Sequence, residues 1–251
     1  MPSKQVIDRE KSAGAVVAVG ETQADAAGAA LGKVLKPHLE KGEALPDFSL
    51  VVKLVARAID SAKGQMVDAD AAHEAELGDD EPVRKARDAA AEELSDKIVE
   101  LREVLTGAYG AATASAVFSG PTPQDPVVLS RFAGEVATAL GRVKLPAPRI
   151  KGAKLDASET AGELRALRAG LDAELKGVAR EVREAQATLD TRNQAIAAYD
   201  EAFGGGATTL TGLLRMAGKA ELAARVRPSS RRPGQTASET EEGTPQAPPE
   251  K

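Results

Sequence analysis

The chain has no cysteine and no tryptophan, and aromatics make up 2% of its 251 residues. Without cysteine there are no disulfides, no thiolate nucleophile and no Cys-ligated zinc or iron–sulfur site. So few aromatics argue against a β-sandwich or barrel, whose strands draw on aromatic and β-branched side chains. Two histidines, His38 and His73, leave little for metal coordination or acid–base work. A basic excess is missing as well: 33 Lys and Arg stand against 38 Asp and Glu, for a net charge of −5. With neither a basic face nor stacking aromatics, nucleic-acid binding is not expected. Long apolar runs are also absent. No window reaches the roughly 18 apolar residues of a membrane-spanning helix. Ala13 to Gly20 is too short and Gly-interrupted for the apolar core of a secretory signal. The expectation is a cytoplasmic chain with no integral membrane segment.

What remains is 42% hydrophobic and 28% charged, the balance of a folded chain. Its apolar residues recur at helical spacing. Residues 1–20 read as a flexible or partly helical segment, because Ala15 to Val19 is too short for periodicity to decide. A helix is expected over 21–40, kinked or ended at Pro37. From Phe48 through Val52, Val55, Ile59, Met66 and His73 to Leu77 the stripe steps by three and four, as in a helix packed lengthwise on others. Gly78-Asp79-Asp80-Glu81-Pro82 then combines a stop, caps and a first-turn proline, which predicts a tight antiparallel return. The next helix, 82–109, carries Leu94, Ile98, Leu101 and Leu105. The uncharged stretch 104–124 reads as a helix end, a buried turn and a short helix, followed by a Pro-rich linker. A helix over 126–145 precedes the longest element, 158–203, whose stripe runs from Leu164 to Phe203 with a stutter near Leu171. Gly204 to Gly206 is read as its end, with short helices over 208–216 and 219–226. Residues 227–251, rich in Pro, Ser, Thr, Gln and Glu, read as a disordered tail.

The fold expected is therefore all-α: an elongated antiparallel bundle of about four long helices within 21–226, with short capping helices. The ends of the second and last long helices look alike, Ala112 to Ser115 against Ala207 to Leu210. Either composition or a duplication of two helical hairpins, 48–118 and 126–214, accounts for the likeness.

Few residues offer chemistry. His73 lies on an apolar stripe with Asp70 and Glu76 three positions away on either side, a pattern suited to one metal ion or a proton relay. The Glu-x-x-His pairs of carboxylate-bridged di-metal bundles do not occur. Arg192 interrupts the long stripe, where a lone charge fixes register by pairing with a carboxylate or, less simply, holds an anion. The three glycines lack the following Lys-Ser/Thr of a phosphate loop. Arg225, Arg227, Arg231 and Arg232 form a small basic cluster. No catalytic, cofactor or metal residue is assigned. The function expected is a non-catalytic structural or adaptor bundle that pairs with a protein or with itself. A metal- or small-ligand-binding bundle around His73 is the alternative, and a membrane-acting bundle built on 104–124 and 202–214 comes third.

Overall fold

The computed structural model describes residues 3–150, 152 and 154–237, apart from the side chain of Asp79. The described residues form an all-α bundle. Its helices are α1 (Lys4–Leu35), α2 (Phe48–Val104), α3 (Ala111–Val117), α4 (Pro126–Arg142), α5 (Ala157–Met216) and α6 (Ala220–Val226). A 3₁₀ turn, Lys36–His38, follows α1, and a π turn, Leu105–Tyr109, continues α2.

Four helix starts are fixed by capping side chains, which satisfy the first backbone N–H groups. Ser3 Oγ accepts from the Val6 amide at 3.3 Å, and Asp47 Oδ1 from Leu50 at 3.0 Å. Asp125 Oδ1 takes the amides of Val127 and Val128, with Pro126 at the first turn. Asp156 Oδ1 takes those of Ser158 and Glu159.

The helices are longer than the sequence signals suggest. α1 begins at Lys4, so the segment read as flexible or partly helical is helical throughout its described length, with Val6, Ala13 and Val16 buried. No return occurs at 78–82. α2 continues as one helix past Gly78 and Pro82, which removes the hairpin expected over 48–118. The three glycines do not end α5 either, and it continues to Met216. At Gly206 an added Cβ would stand 2.8 Å from Ile59 Cδ1, so this glycine lets α2 and α5 approach closely.

The chain divides into two compact units, Met1–Ala75 with Ala187–Lys251 and Glu76–Gln186. The first unit packs α1, residues 48–75 of α2 and residues 187–216 of α5 around Ile59, Met66, Tyr199 and Phe203, with α6 against α1. Its closing segment was expected to be disordered from 227, yet 227–237 is folded onto the unit. Pro228 bridges Thr236, the Ala237 amide donates to the Arg227 carbonyl at 2.8 Å, and Gly234 takes φ +71°. Residues 238–251 of the expected tail lie outside the described residues.

The second unit packs α4, residues 76–104 of α2 and residues 157–186 of α5 around Leu94, Ile98, Leu105, Leu140 and Leu164, with α3 against α4. The stretches 104–124 and 202–214 supply side chains to the two cores, including Leu105, Tyr109, Leu210 and Leu214, each no more than 5% exposed. Along α5 the apolar stripe holds at Leu164, Leu171, Ile196, Tyr199 and Phe203, which are buried, but Val182, expected inside, is 54% exposed, while its neighbour Glu181 is 8% exposed.

The two units also share a numbering. A shift of 109 carries the start of α2 (48) onto that of α5 (157), and both ends of α3 (111, 117) onto those of α6 (220, 226). The same shift pairs Ala30-Leu31-Gly32-Lys33-Val34 with Ala139-Leu140-Gly141-Arg142-Val143, Pro37 with Pro146, and the caps Asp47 and Asp156. It also pairs buried Leu101, Leu105, Ala114 and Val117 with buried Leu210, Leu214, Ala223 and Val226. The repeating element is thus helix, loop, long helix, short helix, not the hairpin pair read from the sequence.

Candidate functional site

Of the polar residues singled out by the sequence, Asp70, His73 and Arg192 lie in the first unit, and Asp70 and Arg192 bind each other. Arg192 Nε donates to Asp70 Oδ1 at 2.6 Å, and the Ser3 amide donates to Asp70 Oδ2 at 2.9 Å. Burial pushes the Asp70 carboxyl up, but the Ser3 amide and the Arg192 guanidinium outweigh it and hold the group below the usual carboxylate range. His73 Nδ1 lies 3.0 Å from Thr188 Oγ1, joining α2 to α5. Both oxygens of Asp70 therefore serve helix pairing and chain-end docking. Arg192 finds the carboxylate that its place in the seam called for. Glu76 does not join this group. It belongs to the second unit, where its carboxylate lies within 4.8 Å of those of Glu181 and Glu184. Arg180 donates to Glu181 Oε1 at 2.8 Å and approaches Glu184 at 3.7 Å, supplying neutralising charge. His38 sits exposed in the 3₁₀ turn.

A second polar knot closes the first unit. Arg9 donates through Nε and Nη2 to the two oxygens of Asp200, both at 2.8 Å, a bidentate pair that raises the Arg9 pKa. The fully buried Tyr199 hydroxyl bridges the carbonyls of Arg9 (2.9 Å) and Gly234 (3.0 Å), and burial pushes its pKa up. Of the basic cluster, Arg231 and Arg232 direct their amides to Ser229 Oγ.

The second unit carries a feature that the sequence reading missed. An open groove of about 610 Å³ runs between α4 and α5. Its floor is polar: Ser130, 5% exposed, donates to Asp172 Oδ1 at 2.5 Å, and Arg168 Nε reaches Ser130 Oγ at 3.4 Å. Gly134 makes room for this arginine, since a Cβ there would stand 2.5 Å from Arg168 Nη1. Exposed Arg131 and Arg142 border the groove, and Leu175 and Ala139 supply apolar surface. Arg131 and Arg142 make no ion pair among the described residues.

The corresponding helix pair in the first unit is laced shut. There Lys53 pairs with Asp25 at 2.9 Å and Arg57 with Glu21 at 3.5 Å. Gly20 lies so near α2 that an added Cβ would be 2.5 Å from Ala56 Cβ. Shifted by 109, those four charged residues become Gly162, Gly134, Ala166 and Ser130. Every lacing charge is replaced by a small residue, and two of the replacements line the groove. A signal existed in the sequence: Arg131 and Arg142, eleven positions apart, project from the side of α4 opposite the apolar stripe.

No helix among the described residues is long and apolar enough to cross a membrane. No family model, curated protein or solved structure matches the chain.

Proposed function

We propose that the protein is a non-catalytic, cytoplasmic helical adaptor that works through protein–protein contact, with the α4–α5 groove as its contact surface. One observation carries this reading: two helix pairs related by the same shift differ at their lacing positions. One pair keeps two ion pairs, and the other has small residues and an open, arginine-bordered groove. Exposed ion pairs contribute little to stability, so their loss is tolerated, while the space created suits a partner's side chains. Exposed Val127 and Val128, 57% and 51% accessible at the start of α4, extend the apolar surface beside it.

A photo-crosslinking residue at exposed Thr138, inside the groove, tests the reading in cells that make the protein. Its control sits at exposed Ala29, the corresponding position of the first unit. A discrete protein adduct from position 138 and none from position 29 is expected. Equal or absent adducts at both would remove the groove as the contact surface.

A further inference from the structure

The groove also indicates what kind of partner fits it. The chain carries a net charge of −5, yet here Arg131, Arg142 and Arg168 stand against Glu135 and Asp172. Arg168 and Asp172 lie 3.5 Å apart and satisfy each other together with Ser130, so they form the floor. That leaves Arg131, Glu135 and Arg142 exposed on the rim, none of them in an ion pair among the described residues, with one positive charge in excess. The two arginines sit on one helix eleven positions apart, which places them about 16 Å from each other along its axis. Between them on α4 lies Glu135, and beside it the surface is weakly apolar, formed by Ala139, Leu175 and the methyl of Thr138.

A trough between two packed helices is the natural seat of another helix, because side-chain ridges settle into such grooves. An α-helix presents residues eleven positions apart on one face, three turns on, at the same spacing as the two arginines. We propose that the groove binds an acidic amphipathic helix of a partner protein. The helix lies along α4 and α5, sets one carboxylate against Arg131 and one against Arg142, and rests small apolar side chains on Ala139 and Leu175. This inference rests on the adaptor reading and narrows it: complementarity of charge fixes the partner's register and speeds its encounter, and the apolar strip supplies the buried area.

The test uses the full chain and a labelled, Ala-rich synthetic helix of roughly 18 residues, a length at which isolated helices become populated. The peptide carries two glutamates eleven positions apart beside a Leu/Ala stripe. A second peptide has lysines in their place. Fluorescence anisotropy should show the acidic peptide binding and the lysine peptide failing. The double variant Arg131→Glu/Arg142→Glu should weaken the acidic peptide by tenfold or more, about the loss of two charge-assisted contacts. The same variant should gain the lysine peptide, a reversal that a misfolded protein cannot produce. Rising salt should weaken both matched pairs. Equal binding of the two peptides to the wild-type chain would overturn the proposal. So would inorganic polyphosphate binding to the two arginines where the acidic peptide does not. Self-association abolished by the same two substitutions would overturn it in favour of a second copy of the chain. A Thr138 adduct that persists in the double variant would sink the acidic helix while leaving the adaptor reading intact.

Discussion

Asp70 and Arg192, 122 positions apart in sequence, hold α2 and α5 in register within the first unit through a 2.6 Å hydrogen-bonded ion pair. The two side chains are 3% and 16% exposed, so the pair is shielded from solvent. Such a pair adds modest net stability but penalises any slippage that parts it, because a stranded buried charge is costly. Asp70→Ala should therefore cost about 3 kcal/mol. The double variant Asp70→Leu/Arg192→Met should be far less damaged than Asp70→Ala. Urea unfolding of the wild type and the two variants checks this, and a double variant that loses as much as Asp70→Ala would mean that the stranded arginine is not what costs stability.

Asp70 also makes stability depend on pH in a definite sense. Its folded pKa lies below its unfolded value, so its contribution is complete above the unfolded value, near 4, and is lost as pH falls through the folded one. The stability gap between the wild-type chain and Asp70→Asn should therefore be constant from pH 7 to about 5 and shrink below about 4. Chemical denaturation at pH 7, 5 and 3 measures it. A gap that stays constant down to pH 3 would contradict the assignment.

The glycines of α5 separate space from conformation. Gly205 has no atom within 4 Å of an added Cβ, whereas at Gly206 that atom would meet Ile59. In a helix interior alanine is favoured over glycine by about 1 kcal/mol, so Gly205→Ala should stabilise the protein by that order. Gly206→Ala should destabilise it, because Ile59 must move within a packed core. Thermal melts of the two variants decide the point. Equal effects would mean that the helix does not continue through the glycines.

These glycines show what was legible in the sequence and what was not. The stripes along 48–77 and 82–109 located the core, with Ile59, Met66, Leu94 and Ile98 fully buried, because burial on helices repeats every three or four residues. The stop signals misled. Gly78 with Pro82, and Gly204 to Gly206, are locally poor helix formers; Gly206 sits against Ile59, and packing there carries α5 on, while α2 continues through the exposed Gly78 and Pro82 between its two packed stretches. A helix break at 78–82 hides the shift of 109, since that shift aligns whole long helices with each other. The start of α1 is not legible, because Ala15 to Val19 is too short for periodicity to decide and its buried face includes Ala13 and Gly20, weak signals, the latter set close against Ala56. The stripe sets His73, with Asp70 three positions before it, on the packing side of α2, but their partners, Arg192 and Thr188, lie more than a hundred residues away, a pairing that no local spacing encodes.

The segment 227–237 supplies the last test. The Tyr199 hydroxyl is the buried hydrogen bond that ties it down through the Gly234 carbonyl, and Gly234 can follow the required path because its φ of +71° suits glycine. A Cβ at that position would run into Asp200, so the turn lies hard against the Arg9–Asp200 pair. Tyr199→Phe keeps the ring packed on Phe203, at 5.6 Å between centroids, and removes only the hydroxyl. It should cost about 1 kcal/mol. Local opening of the segment should rise about fivefold if that loss falls on the clasp. Trypsin cleavage after Arg231, followed by mass spectrometry under conditions where the rest of the chain resists, reports that opening directly, since Pro233 protects the bond after Arg232. An unchanged cleavage rate would show that Tyr199 supports the core without holding the segment in place.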